Sequence, residues 1–392
     1  MSEGALSTLK VVEFGAFAAG PHVGKHFADH GAEVIHVESR TRPDGFRTNY
    51  PPFKDGVPGL ERAGMFAMTH NDKLGVTLNL KTPGGLALAR QLVARADVVI
   101  ENFTPGTMAR LGLGYAESSQ DNPGLVMLST CNQGQTGPHA RHPGFGTHLT
   151  ALSGFIELTG WPDREPSLLW GPYIDYIAVA YGAVAVMAGF DRRLRTGRGC
   201  HIDLSQYETG LQFLAPALLA YFSSGEVAGR RGNEDAAAWP HGVYPCLGDE
   251  RWVALSAHDN AERERLRGVV GWPEAATRHN VERRLTAWTS ARTPEAAMTA
   301  LRRAGVHAAR VNDMRDVLSD PLLQAMGAWR KVRHPVIGEH LVQAPPFVLS
   351  ETPARVKEPA PLLGQHNREV FCGLLGLSQD EFAERQAAGV FE

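Results

Sequence analysis

The sequence has little of what marks a secreted or metal-binding protein. Its 392 residues include only four cysteines, which lie far apart and form no CxxC pair: Cys131, Cys200, Cys246 and Cys372. Sparse cysteines of this kind are typical of reduced thiols in a cytoplasmic protein. The 16 histidines form no HExxH or zinc-finger spacing, so we expect no metal site.

An excess of one charge and a long apolar run are also absent. The chain has 39 Lys and Arg residues against 42 Asp and Glu residues, which does not favour nucleic acid or an anionic membrane as a partner. The longest apolar run, after Asp175, is interrupted by Gly182 and Gly189 and ends at Asp191, short of the ~20 residues of a membrane-spanning helix. The N-terminus lacks the regions of a signal peptide. We therefore expect a cytoplasmic protein.

Apolar periodicity in the first 130 residues alternates between strand and helix. The predicted strands are 9–14, 33–38, 76–80, 97–101 and 125–129, and the predicted helices are 21–31 and 83–96. This rhythm predicts an α/β fold with a mostly parallel sheet and helices on both faces. Residues 145–222 are predicted to be mainly helical. Strands and short helices resume between about residues 242 and 330, which predicts a second, smaller domain.

The first turn of the predicted sheet carries no recognised nucleotide-binding motif. Residues 15–21 read GAFAAGP, which departs from G-x-G-x-x-G, although Glu38 ends the second strand where a ribose-binding acid would lie. The same turn has P-loop glycine spacing, but Pro21 and His22 stand where a P-loop has Lys and Ser or Thr. NAD and ATP chemistry are therefore disfavoured.

Polar, glycine-containing loops follow several predicted strands. Lys73 and Lys81 flank the third strand, and the stretch ENFTPGTMARLGLGY (101–115) turns after the fourth strand and opens a helix that carries Arg110. Ligands of open parallel sheets bind at the carboxyl ends of the strands, so these basic side chains are candidates to meet phosphate groups. The alternative is that they are solvated surface residues, and the spacing does not decide between the two.

Asp175 stands just before the apolar run 177–190. A helix that is apolar on all sides is usually buried, and a buried, unpaired carboxylate is costly. Gly171 and Pro172 place Asp175 near the start of this helix. Asp is common in a first helical turn because it suits the helix dipole and caps amides. The pattern by itself therefore favours a structural role for this carboxylate.

Taken in chain order, six stretches resemble the class III CoA-transferase family (CaiB/BaiF type), which includes formyl-CoA transferase, carnitine CoA-transferases and α-methylacyl-CoA racemases. The stretches are LKVVEFGAFAAGPHVGKHFADHGAEVIHVE, NDKLGVTLNLKTPGG, ADVVIENFTPGTMARLGLGY, GQTGP, RLRTGRG and LGQHNREVFCGLLGLS. They span nearly the whole chain, and the ordered set is more specific than any one stretch.

The resemblance implies a fold, an assembly and a set of CoA contacts. It implies an interlocked homodimer, with a large Rossmann-like CoA-binding domain from residues 1–222 and 335–392 and a small α+β domain with linkers from 223–334. Arg40 stands near the family's basic residue after the second strand, and Ala18 and Cys131 replace a Gln and a Lys of the family. The implied CoA-binding residues are Ala18, Arg40, Leu78, Asn79, Leu80, Lys81, Asn102, Phe103, Thr104 and Arg110, to which the loop pattern adds Lys73.

The resemblance also implies that Asp175, ahead of the apolar helix and the TGRG turn, is the catalytic nucleophile. A carboxylate attacks the donor acyl-CoA to give a mixed anhydride and CoA thiolate, and the thiolate then gives an aspartyl-CoA thioester. An acceptor acid reverses both steps, so we expect no metal and no tightly bound cofactor, with coenzyme A as substrate. The expected partners are an acyl-CoA donor, a carboxylic acid acceptor and a second copy of the chain.

Two other functions stay open at this point. The racemases of the family resemble one another in a GHD stretch whose His is a second base, and the corresponding residues here are Gly144, Phe145 and Gly146. Because Phe145 cannot exchange a proton, α-methylacyl-CoA racemisation or epimerisation is disfavoured. A CoA-binding protein without turnover is the second alternative, and Asp175 argues against it.

Overall fold

The computed structural model describes residues 4–392 and contains a six-stranded parallel sheet. Its strands are β1 Lys10–Phe14, β2 Glu33–Glu38, β3 Leu74–Thr77, β4 Val98–Glu101, β5 Val126–Cys131 and β6 Cys200–Ser205. They lie in the order β3-β2-β1-β4-β5-β6, which is the order of a dinucleotide-binding Rossmann sheet. The predicted α/β class and parallel sheet are confirmed.

The other elements of residues 4–392 are helices and antiparallel strands. The α-helices are α1 Ala19–Asp29, α2 Gly45–Thr48, α3 Gly64–Thr69, α4 Pro83–Arg95, α5 Thr107–Arg110, α6 Tyr115–Asp121, α7 Gly146–Leu152, α8 Phe155–Leu158, α9 Tyr173–Thr196, α10 Gln206–Phe213, α11 Ala215–Ser224, α12 Asn260–Val270, α13 Arg278–Ser290, α14 Pro294–Arg303, α15 Met314–Ser319, α16 Pro321–Ala325 and α17 Gln379–Ala387. The antiparallel strands are β7 His241–Pro245, β8 Trp252–Ser256, β9 His307–Arg310, β10 Trp329–His334 and β11 Gly338–Gln343. A 3-10 turn spans Lys54–Gly56 and a π-helix spans Glu369–Leu374.

The chain forms two compact units. The first takes the chain up to Phe155, Leu169–Leu219 and Ala325–Glu392, and the second takes Ile156–Leu168 and Ala220–Gln324. The parallel sheet and the β10–β11 hairpin belong to the first unit, and the sheet β7-β8-β9 belongs to the second. The domain boundaries predicted from the sequence lie after residues 222 and 334, and they put Ile156–Leu168 in the large domain.

β6 lies within a stretch that was predicted to be mainly helical. It pairs parallel to β5, with Ile202 opposite Leu128. The segment CHIDLS alternates apolar Ile202 and Leu204 with the more exposed His201 and Asp203, a two-residue period typical of a strand. The signal is six residues long and lies between two helices, which is why the helical pattern on either side obscured it.

The amphipathic pattern near the end of the sequence predicts one helix at about 367–388, and in the structure this helix is interrupted. The π-helix Glu369–Leu374 ends before Gly376, which has a φ of +80°, and α17 begins after Ser378. Ser378 and Glu381 form a reciprocal capping box at the start of α17. The sequence pattern S-Q-D-E was therefore a helix-start signal inside the predicted helix.

The free side of the edge strand β3 is covered by the C-terminal part of the chain. Gly75 N donates to His366 Nδ1 at 3.0 Å, and Thr77 N donates to Asn367 Oδ1 at 2.8 Å. The Asn367 amide donates in return to Thr77 Oγ1 at 2.9 Å. These bonds satisfy backbone groups that an edge strand would otherwise leave exposed.

Helix α9 packs on the sheet through small residues. A Cβ on Gly182 would lie 3.0 Å from Val23 Cγ2, and a Cβ on Gly189 would lie 3.0 Å from Cys200 Sγ. Contacts this close are tighter than ordinary van der Waals packing, so a larger side chain at either position would require its neighbours to shift. By length and composition alone α9 could cross a membrane, contrary to the expectation from the sequence, but its packing against α1, β5 and β6 makes it part of the core of the first unit.

We expect Asn367→Ala to lower the free energy of unfolding by about 1–3 kcal/mol, because it leaves the buried Thr77 N–H without an acceptor. Urea unfolding followed by circular dichroism measures the change. The matched control is Gln120→Ala, which removes an exposed amide that bonds only within its own helix. The control should shift stability by less than about 0.5 kcal/mol. Equal effects of the two substitutions would contradict the role of Asn367.

Candidate active site

The order of the strands reverses between β1 and β4, and the loops after these two strands are bonded to each other. Asn102 donates from Nδ2 to Ala16 O at 2.7 Å, and its Oδ1 accepts from Ala16 N at 3.0 Å. A Cβ on Gly15 would lie 2.0 Å from Asn102 Oδ1, so only glycine permits this approach. In a sheet of this order, the crevice at the reversal point is where ligands bind.

The predicted CoA-binding residues, Lys73 apart, follow the carboxyl ends of β1, β2, β3 and β4, which form one edge of the sheet. Ala18 and Leu78 are buried, Asn79, Leu80, Asn102 and Phe103 are half-buried, and Arg40, Lys81, Thr104 and Arg110 are exposed. The Arg110 guanidinium donates to Thr107 Oγ1 at 2.7 Å, which keeps it beside the turn after β4. Three exposed cations therefore lie along this edge: Arg40, Lys81 and Arg110.

Arg40 lines a cavity of about 520 Å³ together with the C-terminal part of the chain. Its Nη2 donates to Leu363 O at 3.4 Å. Phe391 and Glu392 also line this cavity, and the neighbouring Val390 accepts from Asn79 N at 2.8 Å. The end of the chain thus borders two of the predicted CoA-binding segments, a neighbourhood that the sequence pattern did not indicate.

Lys73 is enclosed in the interior and is not available at this edge. Its Nζ lies 2.7 Å from Glu13 Oε1 and donates to Pro21 O at 2.7 Å. Burial lowers the pKa of Lys73, an effect that the adjacent Glu13 carboxylate opposes. Because the ammonium is buried and fully engaged, the structure does not support the prediction that Lys73 meets a CoA phosphate.

Glu13, His36 and His70 offer ligand atoms that all lie within 4.8 Å of one another, a spacing that a metal ion could occupy. Glu13 Oε1, however, lies 2.7 Å from His36 Nδ1 and 2.7 Å from Lys73 Nζ. The carboxylate is therefore already paired with a cation of the chain. We interpret the three residues as part of a structural charge network in the core.

The thiol of Cys131 ends β5 beside the Glu101 carboxylate and is not reactive. Burial, with smaller contributions from the nearby Glu101 and Asp203 carboxylates, raises the pKa of Cys131 to about 12. Burial also raises the pKa of Glu101 to about 7, while Phe103 N donates to its Oε2 at 2.9 Å. A protonated thiol is a poor nucleophile, which leaves the chemistry to another side chain.

Asp175 is the third residue of α9, and its carboxylate faces α7 instead of capping its own helix. A Cβ on Gly146, the first residue of α7, would lie 2.6 Å from Asp175 Oδ2. Neither carboxylate oxygen accepts a hydrogen bond from the described residues, 4–392. The structural alternative raised from the sequence, an Asp that caps amides, is therefore not what the structure contains.

Burial raises the pKa of Asp175 from its ordinary 3.8 to about 7, and no charged group in the described chain adds to or opposes this effect. A carboxylate that is desolvated without a partner lowers the stability of the folded state. Such a shift marks a candidate functional group, because a purely structural carboxylate would be paired.

Aromatic rings extend from this carboxylate to the loop after β1. Phe145 directly precedes Gly146, and its ring lies 5.9 Å from that of Phe17. Phe17 packs in turn against Phe46 at 5.8 Å and Tyr50 at 6.0 Å. We call these four residues the aromatic wall. Sequence reasoning named only Phe145, as a side chain that cannot exchange a proton, because aromatic residues so far apart in the chain carry no spacing signal.

Comparison with known proteins gives one family over nearly the whole chain. The family described as CoA-transferase family III matches residues 6–367. Succinyl-CoA–D-citramalate CoA-transferase of Chloroflexus aurantiacus is 35% identical over 98% of this chain and 98% of its own. Succinate–glutarate CoA-transferase of Agrobacterium fabrum is 32% identical over 94% and 95%. The crystal structure of a CAIB/BAIF family protein from Brucella suis superposes with a TM-score of 0.86 at 30% identity, covering 95% of this chain and all of its own.

We expect Asp175→Asn to raise the melting temperature at pH 8. The folded-state pKa of about 7 exceeds the ordinary 3.8, so the folded state holds the proton more tightly than the unfolded chain, and the carboxylate destabilises the fold increasingly from about pH 4 to pH 7. The gain should therefore shrink as the pH is lowered towards 5. Calorimetry across this pH range measures it.

The control is Asp191→Asn, which removes one negative charge from an exposed position of the same helix. If the melting temperatures of Asp175→Asn and the unsubstituted protein differed by the same amount from pH 5 to pH 8, the carboxylate would not be desolvated in solution.

Proposed function

The chain belongs to CoA-transferase family III and is a CoA-transferase, and from this premise we propose that Asp175 carries CoA from an acyl-CoA thioester to a free carboxylic acid. The observation that carries this proposal is a half-buried, desolvated carboxylate that faces Gly146 with no hydrogen bond from the described chain. The family resemblance found in the sequence is confirmed by the family match. The assignment of Asp175 to the nucleophile position is what that resemblance implies, and it is part of the proposal.

In the proposed reaction, an oxygen of Asp175 attacks the thioester carbonyl carbon, the carbon–sulfur bond breaks, and a mixed anhydride and CoA thiolate form. The thiolate attacks the aspartyl carbonyl of the anhydride, which releases the donor acid as its carboxylate and leaves an aspartyl-CoA thioester. The acceptor carboxylate then attacks this thioester, and the released thiolate attacks the acceptor's acyl carbon. Asp175 returns as a carboxylate, and no net proton, electron or external energy source is consumed.

The surroundings of Asp175 favour this chemistry in two ways. A desolvated carboxylate is more basic and more nucleophilic than a hydrated one, and burial is the sole cause of its raised pKa. The position of Asp175 in the first turn of α9 offsets part of this cost, since the helix dipole stabilises the anion by about 0.3–1 kcal/mol. Gly146 has no side chain, and any larger residue at this position would press against the carboxylate.

We propose that CoA lies along the carboxyl edge of the sheet. Its phosphates would pair with the exposed cations Arg40, Lys81 and Arg110, and its pantetheine arm would pass Ala18 and Asn102 towards Asp175. The backbone of Leu78–Lys81 and of Asn102–Thr104 would supply polar contacts. In this arrangement the reversal point between β1 and β4 receives the middle of the ligand.

We also propose that the chain acts as a cytoplasmic homodimer. Helix α9 keeps large apolar side chains exposed on the side away from the sheet, among them Tyr181, Val184 and Leu194. An apolar stripe of this kind on a core helix is typical of a surface that is buried in an oligomer.

We expect Asp175→Ala to abolish exchange between acyl-CoA and a free acid while CoA still binds, because the cations of the CoA edge are untouched. Exchange is followed by chromatography of the CoA esters, and binding by calorimetry with CoA. Asp191→Ala, an exposed Asp of the same helix, is the control and should keep normal exchange.

Normal exchange by Asp175→Ala would refute the assignment of the nucleophile. Wild-type protein that binds CoA without any exchange would support the CoA-binding alternative, and loss of an α-deuterium from a 2-methylacyl-CoA without an acceptor acid would support the racemase alternative. A mass shift on the Asp175 peptide after incubation with acyl-CoA would identify the covalent intermediate.

The pH dependence of kcat/KM gives an independent check, because only ionised Asp175 can attack. We expect kcat/KM for the acyl-CoA donor to rise with pH through about 7 and to level off above it. Below pH 6 it should fall by about tenfold per pH unit, as for a single protonation. A flat profile between pH 5 and pH 8 would contradict a nucleophile with a raised pKa.

A further inference from the structure

The loop after β2 reaches the proposed CoA site through one buried side chain. We propose that Asp44 is a positioning residue for CoA, because its carboxylate holds the backbone amide of Phe17 and with it the turn after β1, residues 15–18. The inference rests on the proposed function, in which the pantetheine arm of CoA passes Ala18. Neither the motifs in the sequence nor the family resemblance indicated a role for Asp44.

The Asp44 carboxylate accepts hydrogen bonds from two backbone amides. Its Oδ1 accepts from Phe46 N at 2.7 Å, which caps the one-turn helix α2. Its Oδ1 and Oδ2 also lie 3.1 and 3.2 Å from Phe17 N, which comes from the loop after β1, 27 residues earlier in the chain. The cap is a local interaction, whereas the bond to Phe17 joins the loops after two neighbouring strands, β1 and β2.

Phe17 needs this support because its backbone is strained. Its φ is +65°, a left-handed conformation that is an outlier for a bulky residue. A strained conformation of this kind persists only where the surrounding structure imposes it. The preceding residue, Ala16, is held by Asn102, and the following residue, Ala18, leads into α1. Asp44 therefore fixes the residue that lies between the anchored part of the turn and the proposed CoA contact.

The rest of α2 holds Phe17 from its side chain. The Phe17 ring, a member of the aromatic wall, packs edge-on against Phe46 with ring centres 5.8 Å apart. A Cβ on Gly45 would lie 2.0 Å from Phe17 Cε1, so this glycine makes room for the ring. Ala18 lies in the same buried cluster as Phe46. A shift of α2 would therefore move Phe17 and Ala18 together.

A helix cap alone does not account for a carboxylate at this position. Asp44 is only 2% exposed, and its ion-pair neighbours within residues 4–392 are two histidines, His36 at 4.0 Å and His70 at 3.7 Å. A Ser or Asn caps a helix as well as an Asp does and buries no charge. The Ser hydroxyl, however, is one bond closer to the backbone and falls short of Phe17.

These contacts belong to one chain. Asp44, Phe17 and Phe46 all lie in the first unit, and the carboxylate is enclosed by that unit. A second copy of the chain in a dimer therefore cannot take over the bond to Phe17 N. The inference holds for the monomer and for the proposed homodimer alike.

The test compares three substitutions of Asp44 by calorimetry with CoA. Asp44→Asn keeps an oxygen that can accept from both amides, and its Nδ2 can donate to His70 Nε2, which has no hydrogen-bond partner in residues 4–392. Asp44→Ser keeps the cap and loses the bond to Phe17, and Asp44→Ala loses both. Melting curves establish that each variant folds.

We expect the Kd for CoA to rise by about tenfold in Asp44→Ser and Asp44→Ala and by less than about twofold in Asp44→Asn. The KM for the acyl-CoA donor should rise by a similar factor, while kcat changes less, because Asp175 is untouched. A role in stability alone would lower the melting temperature without this division between KM and kcat.

The matched control is Asp259→Ser, which makes the same change at a helix cap of the second unit. Asp259 caps α12 by accepting from Glu262 N at 2.7 Å. We expect this variant to melt at a lower temperature and to bind CoA with an unchanged Kd.

A double-mutant cycle tests whether Asp44 acts through Phe17. Glycine adopts a positive φ without strain, so Phe17→Gly removes the need for the bond to Asp44. Asp44→Ser should therefore raise the Kd for CoA by a smaller factor in the Phe17→Gly background than in the unsubstituted protein. Equal factors in both backgrounds would contradict the assigned route.

Two results would overturn the inference and leave the proposed function intact. The first is a folded Asp44→Ser that binds CoA as the unsubstituted protein does. The second is a folded Asp44→Asn that loses CoA as strongly as Asp44→Ser, since the charge rather than the held amide would then be responsible. Unsubstituted protein that neither binds CoA nor exchanges it would overturn the proposed function and, with it, the inference.

Discussion

The two hydrogen bonds between Asn102 and Ala16 are the interaction on which the site depends. They join the loop after β4 to the loop after β1 at the point where the strand order reverses, and the close approach requires glycine at position 15. Phe17, which follows Ala16, has a φ of +65°, and its ring packs against that of Phe145. Phe145 directly precedes Gly146, which faces the carboxylate of Asp175. The junction between Asn102 and Ala16 therefore connects the proposed CoA edge to this carboxylate through the packing of Phe17 on Phe145.

Charge in the first unit is divided between a paired interior and an unpaired site. Buried carboxylates in the core, such as Glu13 and Glu38, have cations within hydrogen-bond distance, and those pairs keep the pKa values of both carboxylates below their ordinary value against the effect of burial. Asp175 is half-buried without such a partner, and desolvation raises its pKa. Asp175 is not alone in this, since burial also raises the pKa of Glu101 to about 7 and that of Asp44 to about 6, but both of these carboxylates accept backbone hydrogen bonds, which Asp175 does not.

Much of the fold could be predicted because its signals are local. The β-branched segments VVEF and VIHVE became β1 and β2, and Thr82 caps α4 by accepting from Gly85 N, as its place before Pro83 indicates. β6 and the break at Gly376 were not predicted, because each signal is only a few residues long within a stronger helical pattern. Lys73 was predicted to bind CoA, but the sequence does not show that the carboxylate of Glu13, sixty residues earlier, lies 2.7 Å from the Lys73 ammonium.

The sequence by itself determined the parallel α/β class, the family and the position of the candidate nucleophile, since these depend on periodicity and on motifs that are contiguous in the chain. The tertiary structure alone decided which charges are free. The pairing of Arg47 with Glu38, the contact of Gly146 with Asp175 and the packing of Phe17 on Phe145 all join residues from different segments. The pKa of a group and the polarity around it depend on all residues that lie near it in space, and only folding brings residues from different segments together.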